Sequence, residues 1–258
     1  MADLTKKKLS LLEPFMMLFV GILVVANIIA QKFWDVTLLG IPMSVDVGTL
    51  LLFPMLYIFS DVLVEVWGFA TARRVVWYGF AVQVLAAVLF SLAIRMPHSE
   101  YFTNQDAFAT ILGSVPFLVV ASMAGYLGGS FTNNLVMVKM KEWMIKWDPN
   151  HKWIALRTIG STFVGEFVDT ALFVAIATLL GVFPGALIVS LVITQWLLKT
   201  LIEAVMTPVT IAVVKAVKKH EGLDIVGTDT LNPLAVSKEG GKNIFGLSED
   251  KVRTTVAK

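Results

Sequence analysis

Six stretches of this chain, at about 11–30, 46–66, 75–94, 115–138, 154–180 and 185–214, are long and apolar enough to cross a hydrocarbon layer of ~30 Å, which takes ~20 helical residues. That repetition predicts an all-α membrane protein, a bundle of six transmembrane helices. Composition points the same way: 57% of residues are hydrophobic, 16% are charged and the mean hydropathy is +0.77, whereas charged residues make up ~25% of soluble domains. The first run, Leu11 to Ala30, follows Lys6, Lys7 and Lys8 and so imitates a signal peptide. Its length of ~20 residues exceeds the 7 to 15 of such a segment, and it reads as a retained anchor.

Charge sets the orientation by position and not by sum. Lys6 to Lys8, Arg73 and Arg74, then Lys139, Lys141, Lys146 and Lys152, then Lys215, Lys218 and Lys219 fall on one side; Lys32 and Arg95 stand alone on the other. By the positive-inside rule both termini are expected in the cytoplasm, in an inner (plasma) membrane protein. Gly40-Ile41-Pro42 is expected to close the first outer loop, Gly181 with Pro184-Gly185 the last, and Asp148-Pro149-Asn150 to turn the inner one. The outer segment from Met96 to Ser114 has room for a short surface helix. Trp67, Trp77, Trp143, Trp147 and Trp153 are expected at the cytoplasmic interface. The chain then divides into a transmembrane domain, 1–219, and a mostly disordered cytoplasmic tail, 220–258, which has no apolar period.

The segment from Arg157 to Leu180 carries two acids inside an apolar span. Glu166 and Asp169 lie three residues apart, on one helix face, at a depth where an ionisable group costs ~2.5 to 3.5 kcal/mol and so faces a polar cavity or a partner. Other spans carry stripes at helical spacing: Phe53, Tyr57, Asp61 and Glu65; Tyr126, Ser130 and Asn134, with Asn133 beside it; Gln195, Lys199, Glu203 and Thr207. Asn27 and Gln31 end the first span, and the third offers only the amide of Gln83 to such a stripe and reads as mainly supporting. Turned inward, the stripes would enclose a polar chamber, biased toward the cytoplasmic half. Interhelical hydrogen bonds of ~0.6 kcal/mol explain the Ser, Thr and Asn residues equally well. They do not explain five acids against one interior lysine, Lys199, whose natural partners are Glu203 and Glu166. Gly125, Gly128 and Gly129 read as close-packing positions.

Zero cysteines exclude disulfides and thiolate metal sites, and His98, His151 and His220 match no ligand spacing, so no metal or cofactor is expected. No G-x-x-x-x-G-K-[ST] occurs, so this chain does not itself hydrolyse ATP.

Three segments, taken together and in order, resemble the queuosine precursor transporter family, also called the VUT family. They are Gly48-Thr49-Leu50-Leu51-Leu52-Phe53-Pro54 running into Ser60-Asp61-Val62-Leu63-Val64-Glu65-Val66-Trp67-Gly68 and Ala72-Arg73-Arg74; Arg157-Thr158-Ile159-Gly160-Ser161-Thr162 with Gly165-Glu166-Phe167-Val168-Asp169-Thr170; and Lys199-Thr200-Leu201-Ile202-Glu203 with Thr207-Pro208. The resemblance implies a six-helix importer of 7-deazaguanines, 7-cyano- or 7-aminomethyl-7-deazaguanine, used in tRNA modification. Glu166 departs from the Gln that the family often carries there.

A deazaguanine presents N1–H and an exocyclic amine that one carboxylate can accept together. Glu166, Asp169 and Asp61 are the candidate acceptors, Phe53, Tyr57 and Trp196 the candidate stacking residues, and Asn134 and Gln195 candidates for the carbonyl and ring nitrogens. Lys199, Glu203, Glu65 and Arg157 are the candidates for coupling and gating. The partners implied are the small-molecule substrate and the lipid bilayer, not nucleic acid, with a homodimer left open. Two other readings stand beside a carrier: the solute-binding membrane subunit of an importer whose ATPase is another chain, and an intramembrane aspartic protease using Asp61 and Asp169. The second lacks a Gly-x-Gly-Asp setting for either acid. A structural anchor for a cytoplasmic partner would need the tail and not the stripes.

Overall fold

The computed structural model describes residues 10–38, 41–144 and 154–222. In chain order the elements are α1 (Leu12–Ile29), β1 (Phe33–Leu38), β2 (Ile41–Asp46), α2 (Val47–Trp67), α3 (Phe69–Arg95), α4 (Gln105–Gly113), α5 (Val115–Met144), α6 (Ile154–Leu179) and α7 (Ile188–Glu221), the last entered through a 3-10 turn at Gly185–Leu187. Six helices, α1, α2, α3, α5, α6 and α7, are long and apolar enough to cross a membrane, so the chain is an all-α membrane bundle. The short helix in the third connection is α4, tied to α1 where the Gln31 side-chain amide donates to the Ile111 carbonyl at 2.6 Å.

The first outer loop differs from the sequence expectation. Instead of an irregular turn around Gly40-Ile41-Pro42, β1 and β2 pair antiparallel, from Phe33 opposite Asp46 to Leu38 opposite Ile41; the two joining residues, 39 and 40, lie outside the described residues. Aromatic and β-branched residues in Phe33-Trp34-Asp35-Val36-Thr37-Leu38 favour extended backbone, and Pro42 is tolerated because both strands of a two-stranded sheet are edges. The hairpin is docked on the bundle: the Ser44 amide donates to Ser190 Oγ at 3.2 Å, and Phe33 meets Phe183 edge-on with ring centroids 5.1 Å apart. β2 runs straight into α2, whose first turn is capped by Asp46, its Oδ1 accepting from the Thr49 amide at 2.7 Å.

At the other end α2 and α3 are separated by Gly68 alone. Its φ of 83° is one that only glycine adopts at little cost, so the chain reverses there without a loop. Trp67 just before it is 4% exposed and packs on Phe15 with ring centroids 5.7 Å apart; it belongs to the core and not to an interfacial belt. Trp143 is 62% exposed, while Trp147 and Trp153 lie outside the described residues. The start of α1 meets the end of α7, because Glu221 accepts from the Leu11 amide at 2.6 Å. α7 continues two turns past the expected end of the sixth span, carrying Lys215, Lys218 and Lys219. Of the expected tail, 220–258, His220 and Glu221 belong to α7, and residues 223–258 lie outside the described residues.

Two apolar clusters close the bundle at its ends. One, at the Arg73 end, joins Phe19, Val62, Leu63, Val66, Trp67, Val75, Val214 and Val217. The other, at the hairpin end, joins Ala30, Leu118, Ala121, Val174, Ala177, Phe183 and Leu191. Between them α5 and α6 pack almost backbone to backbone. A Cβ on Gly129 would lie 2.7 Å from the Asp169 Cβ, and one on Gly165 would lie 2.7 Å from the Asn133 Cβ, so the glycines are close-packing positions.

Candidate functional site

Between the two clusters lies a cavity of about 400 Å³, bounded by Phe19 on one side and Ala30 on the other, within the ~300 to 1,000 Å³ of small-molecule sites. Its focus is Lys199. Eleven residues into α7, ~17 Å from the helix start at 1.5 Å per residue, the side chain is 4% exposed and its Nζ lies 2.8 Å from Asp169 Oδ2 and 3.7 Å from Glu166 Oε2. The same ammonium sits 4.3 Å from the centre of the Phe53 ring, within cation–π range. Glu166 and Asp169 share a face of α6 because they are one turn apart. Asp169 fits because α5 brings glycine behind it: a Cβ on Gly125 would come 2.9 Å from both its carbonyl and its Oδ1.

Aromatic rings stand around this centre. Phe53 and Tyr57, on α2, meet edge to face at 4.6 Å, and Phe80 and Tyr126, from α3 and α5, do so at 5.5 Å; all four line the cavity. The Tyr57 hydroxyl approaches Glu166 without reaching hydrogen-bond geometry. A third carboxylate, Asp46, lines the cavity from β2; it is 1% exposed, and its Oδ2 accepts no hydrogen bond. Burial pushes its carboxyl upward, opposed by the Thr49 amide and by the charge of Lys199. Against these three acids Lys199 is the only basic side chain among the described lining residues.

The wall made by α1, α3 and α5 is polar but uncharged. The Ser122 hydroxyl donates to Asn27 Oδ1 at 3.0 Å, and Asn27 Nδ2 donates to Gln83 Oε1 at 2.6 Å. All three residues line the cavity.

Of the expected substrate-binding residues, Phe53, Tyr57, Glu166 and Asp169 line this cavity, together with Lys199 from the coupling group. Asp61, Asn134, Gln195 and Trp196 do not. Asp61, one turn before Glu65 on α2, is off the cavity wall. Asn133 takes the wall position instead of Asn134. Gln195 is fully buried but away from the cavity, its amide without a hydrogen bond. Trp196 packs outside on Phe163 and Phe167, at 4.5 and 5.1 Å, and donates to the Phe163 carbonyl. Glu203 is also off the cavity wall, so Lys199 pairs across to α6 and not along its own helix. Glu65 is at the Arg73 end, 61% exposed and 3.4 Å from Lys218. Arg157 is on α6, but its side chain lies outside the described residues.

The cavity is not confined to the Arg73 end: Asn27, Ala30, Asp46, Gly48 and Thr49 carry it toward the hairpin end. Sequence reasoning passed over Asp46, whose signal was an acid three residues before a threonine at the mouth of a span. It also gave Gln83 only a supporting role, although a lone amide inside an otherwise apolar helix needs a partner.

A family described as "Putative vitamin uptake transporter" matches residues 46–213, a range that opens on Asp46 and takes in Gln83, Glu166, Asp169 and Lys199. Over 162 residues the chain is 26% identical to a protein of Bacillus subtilis (strain 168) named "Probable queuosine precursor transporter", an alignment covering 63% of this chain and 69% of that protein. No solved structure matches.

Proposed function

We propose that this chain, which belongs to the vitamin uptake transporter family, imports a queuosine precursor, 7-cyano- or 7-aminomethyl-7-deazaguanine, through the cavity around Lys199. The family is one of transporters and not of enzymes, and six membrane-crossing helices make the chain a multi-pass membrane protein with a transport role. The substrate is the further step, and the observation that carries it is the pairing of two cavity carboxylates with one lysine beside a set of aromatic rings. The B. subtilis protein's name supports the same substrate.

A deazaguanine needs an acceptor for N1–H and the exocyclic amine, and a carboxylate takes both in two parallel bonds. Glu166 is the acceptor in this reading, being the acid that Lys199 holds at the longer distance, with Phe53 and Tyr57 flanking the ring. Lys199 offsets part of the acids' charge in the empty site, and substrate entering beside it loosens its hold on the acids. Alternating access then follows from the fold. The apolar cluster at the hairpin end and the one at the Arg73 end serve as two gates on one site, and the tightly packed α5–α6 pair moves as a unit against the rest. Lys and Arg placement supports an inner-membrane protein with both termini in the cytoplasm.

The test uses bacteria that cannot make the precursors. The chain is expressed, each base is supplied outside, and queuosine in tRNA is measured alongside the amount of folded protein in the membrane. The native chain is expected to restore the modification, and Glu166→Ala and Asp169→Ala each to abolish it at unchanged abundance. Native protein in the membrane with no modification from either base would overturn the substrate; near-normal uptake by either variant would overturn the site.

A further inference from the structure

Every charged group among the described lining residues comes from β2, α6 or α7; α1, α2, α3 and α5 contribute none. The α3 side of the cavity is therefore polar but uncharged, and α3 does not pack substantially on α6 or α7, which leaves the space between them for the ligand. On the neutral wall the hydrogen-bond relay has a direction. Ser122 donates to Asn27, and Asn27 donates to Gln83, so both amide carbonyls are used. What is left over is Gln83 Nε2, a donor with no acceptor, on a side chain only 1% exposed. A buried donor without a partner is costly, and a wall that ends on one favours a ligand that brings an acceptor.

We propose that Gln83 is a specificity-determining residue that reads a neutral hydrogen-bond acceptor at the end of the base remote from the carboxylates, so that the cavity takes the nitrile of 7-cyano-7-deazaguanine in preference to the aminomethyl cation. This rests on the substrate reading given above. With the donor edge of the base on the acids of α6, the substituent at the opposite side of the ring reaches the α3 wall. A nitrile nitrogen there accepts from Nε2. An ammonium there meets an N–H pointing the wrong way and has no counter-charge on α1, α3 or α5, which rejects it by the same means that selects its rival.

The experiment measures dissociation constants of both bases for the purified, membrane-reconstituted protein. Native protein is expected to bind the cyano base roughly tenfold tighter, the scale of one buried hydrogen bond made or left unmade. In Gln83→Glu the carboxylate still accepts from Asn27 but places an oxygen where the donor stood, so the preference is expected to invert toward the aminomethyl base. Gln83→Leu is expected to lose the preference without gaining the cation. Asn27→Asp offers a second route should position 83 not tolerate Glu: an acid at 27 accepts from both Ser122 and Gln83, which turns the Gln83 carbonyl to the cavity and shifts the ratio the same way. Native protein that binds both bases equally or prefers the aminomethyl base, or a ratio unchanged in folded Gln83→Glu and Asn27→Asp, would overturn the assignment while leaving the substrate class standing. Native protein that binds neither base overturns both.

Discussion

Removing the charge of Lys199 while keeping its length, as in Lys199→Met, tests the centre of the site most directly. At an effective dielectric of ~20, charges 2.8 and 3.7 Å apart attract by about 6 and about 4 kcal/mol, but taking three charges out of water cancels most of that gross attraction. Breaking a buried pair by deleting one partner costs ~3 to 5 kcal/mol, because the other charge is left uncompensated. Here two carboxylates are left, and at 19% and 25% exposure both keep some contact with the cavity, which argues for the lower end, ~3 kcal/mol. For a chain of this size that is a fall of roughly 10 °C in the unfolding midpoint. The double variant Lys199→Met with Asp169→Asn removes one carboxylate along with the lysine and is expected to recover at least half of the loss, the non-additivity that marks a direct pair. Thermal unfolding of the purified protein, followed by tryptophan fluorescence, reads all of these. A single variant within about 2 °C of native, or a double variant whose loss equals that of the two singles combined, would refute the reasoning.

Gly129→Ala is expected to cost ~1 to 3 kcal/mol and to stop uptake, since its Cβ would lie 2.7 Å from the Asp169 Cβ and 2.9 Å from the Gly165 carbonyl; a native unfolding midpoint with native uptake would show that α5 and α6 have room to spare. Glu65→Ala, which breaks only an exposed pair with Lys218, is expected to change stability by less than ~1 kcal/mol and to leave uptake intact. Loss of uptake at normal abundance would restore Glu65 to the gating group.

Why some stripe residues meet at the cavity and others do not follows from helix geometry. A step of four residues overshoots a full turn by about 40°, so Phe53 and Tyr57 begin on the cavity face of α2, and by Asp61 and Glu65 the same stripe has rotated away from it, Glu65 meeting Lys218. On α7 the drift runs from Gln195 through Lys199 to Glu203, and only the middle residue reaches the cavity. The spacing of three between Glu166 and Asp169 undershoots instead, and both acids reach the wall. Six spans are legible because apolarity over ~20 residues is a local property. The β1–β2 hairpin is not: its information lies in the register between two six-residue strands, neither of which is apolar or long enough to announce itself. Asp46 inherits that invisibility, since an acid at the first residue of an apolar run reads as its polar edge and becomes a cavity carboxylate only once the hairpin delivers it to the start of α2. The Asn27–Gln83 bond has the same character: each amide looked like helix glue within its own span, and only the packing of α1 on α3 turns the two into one directed relay with an unused donor at its end.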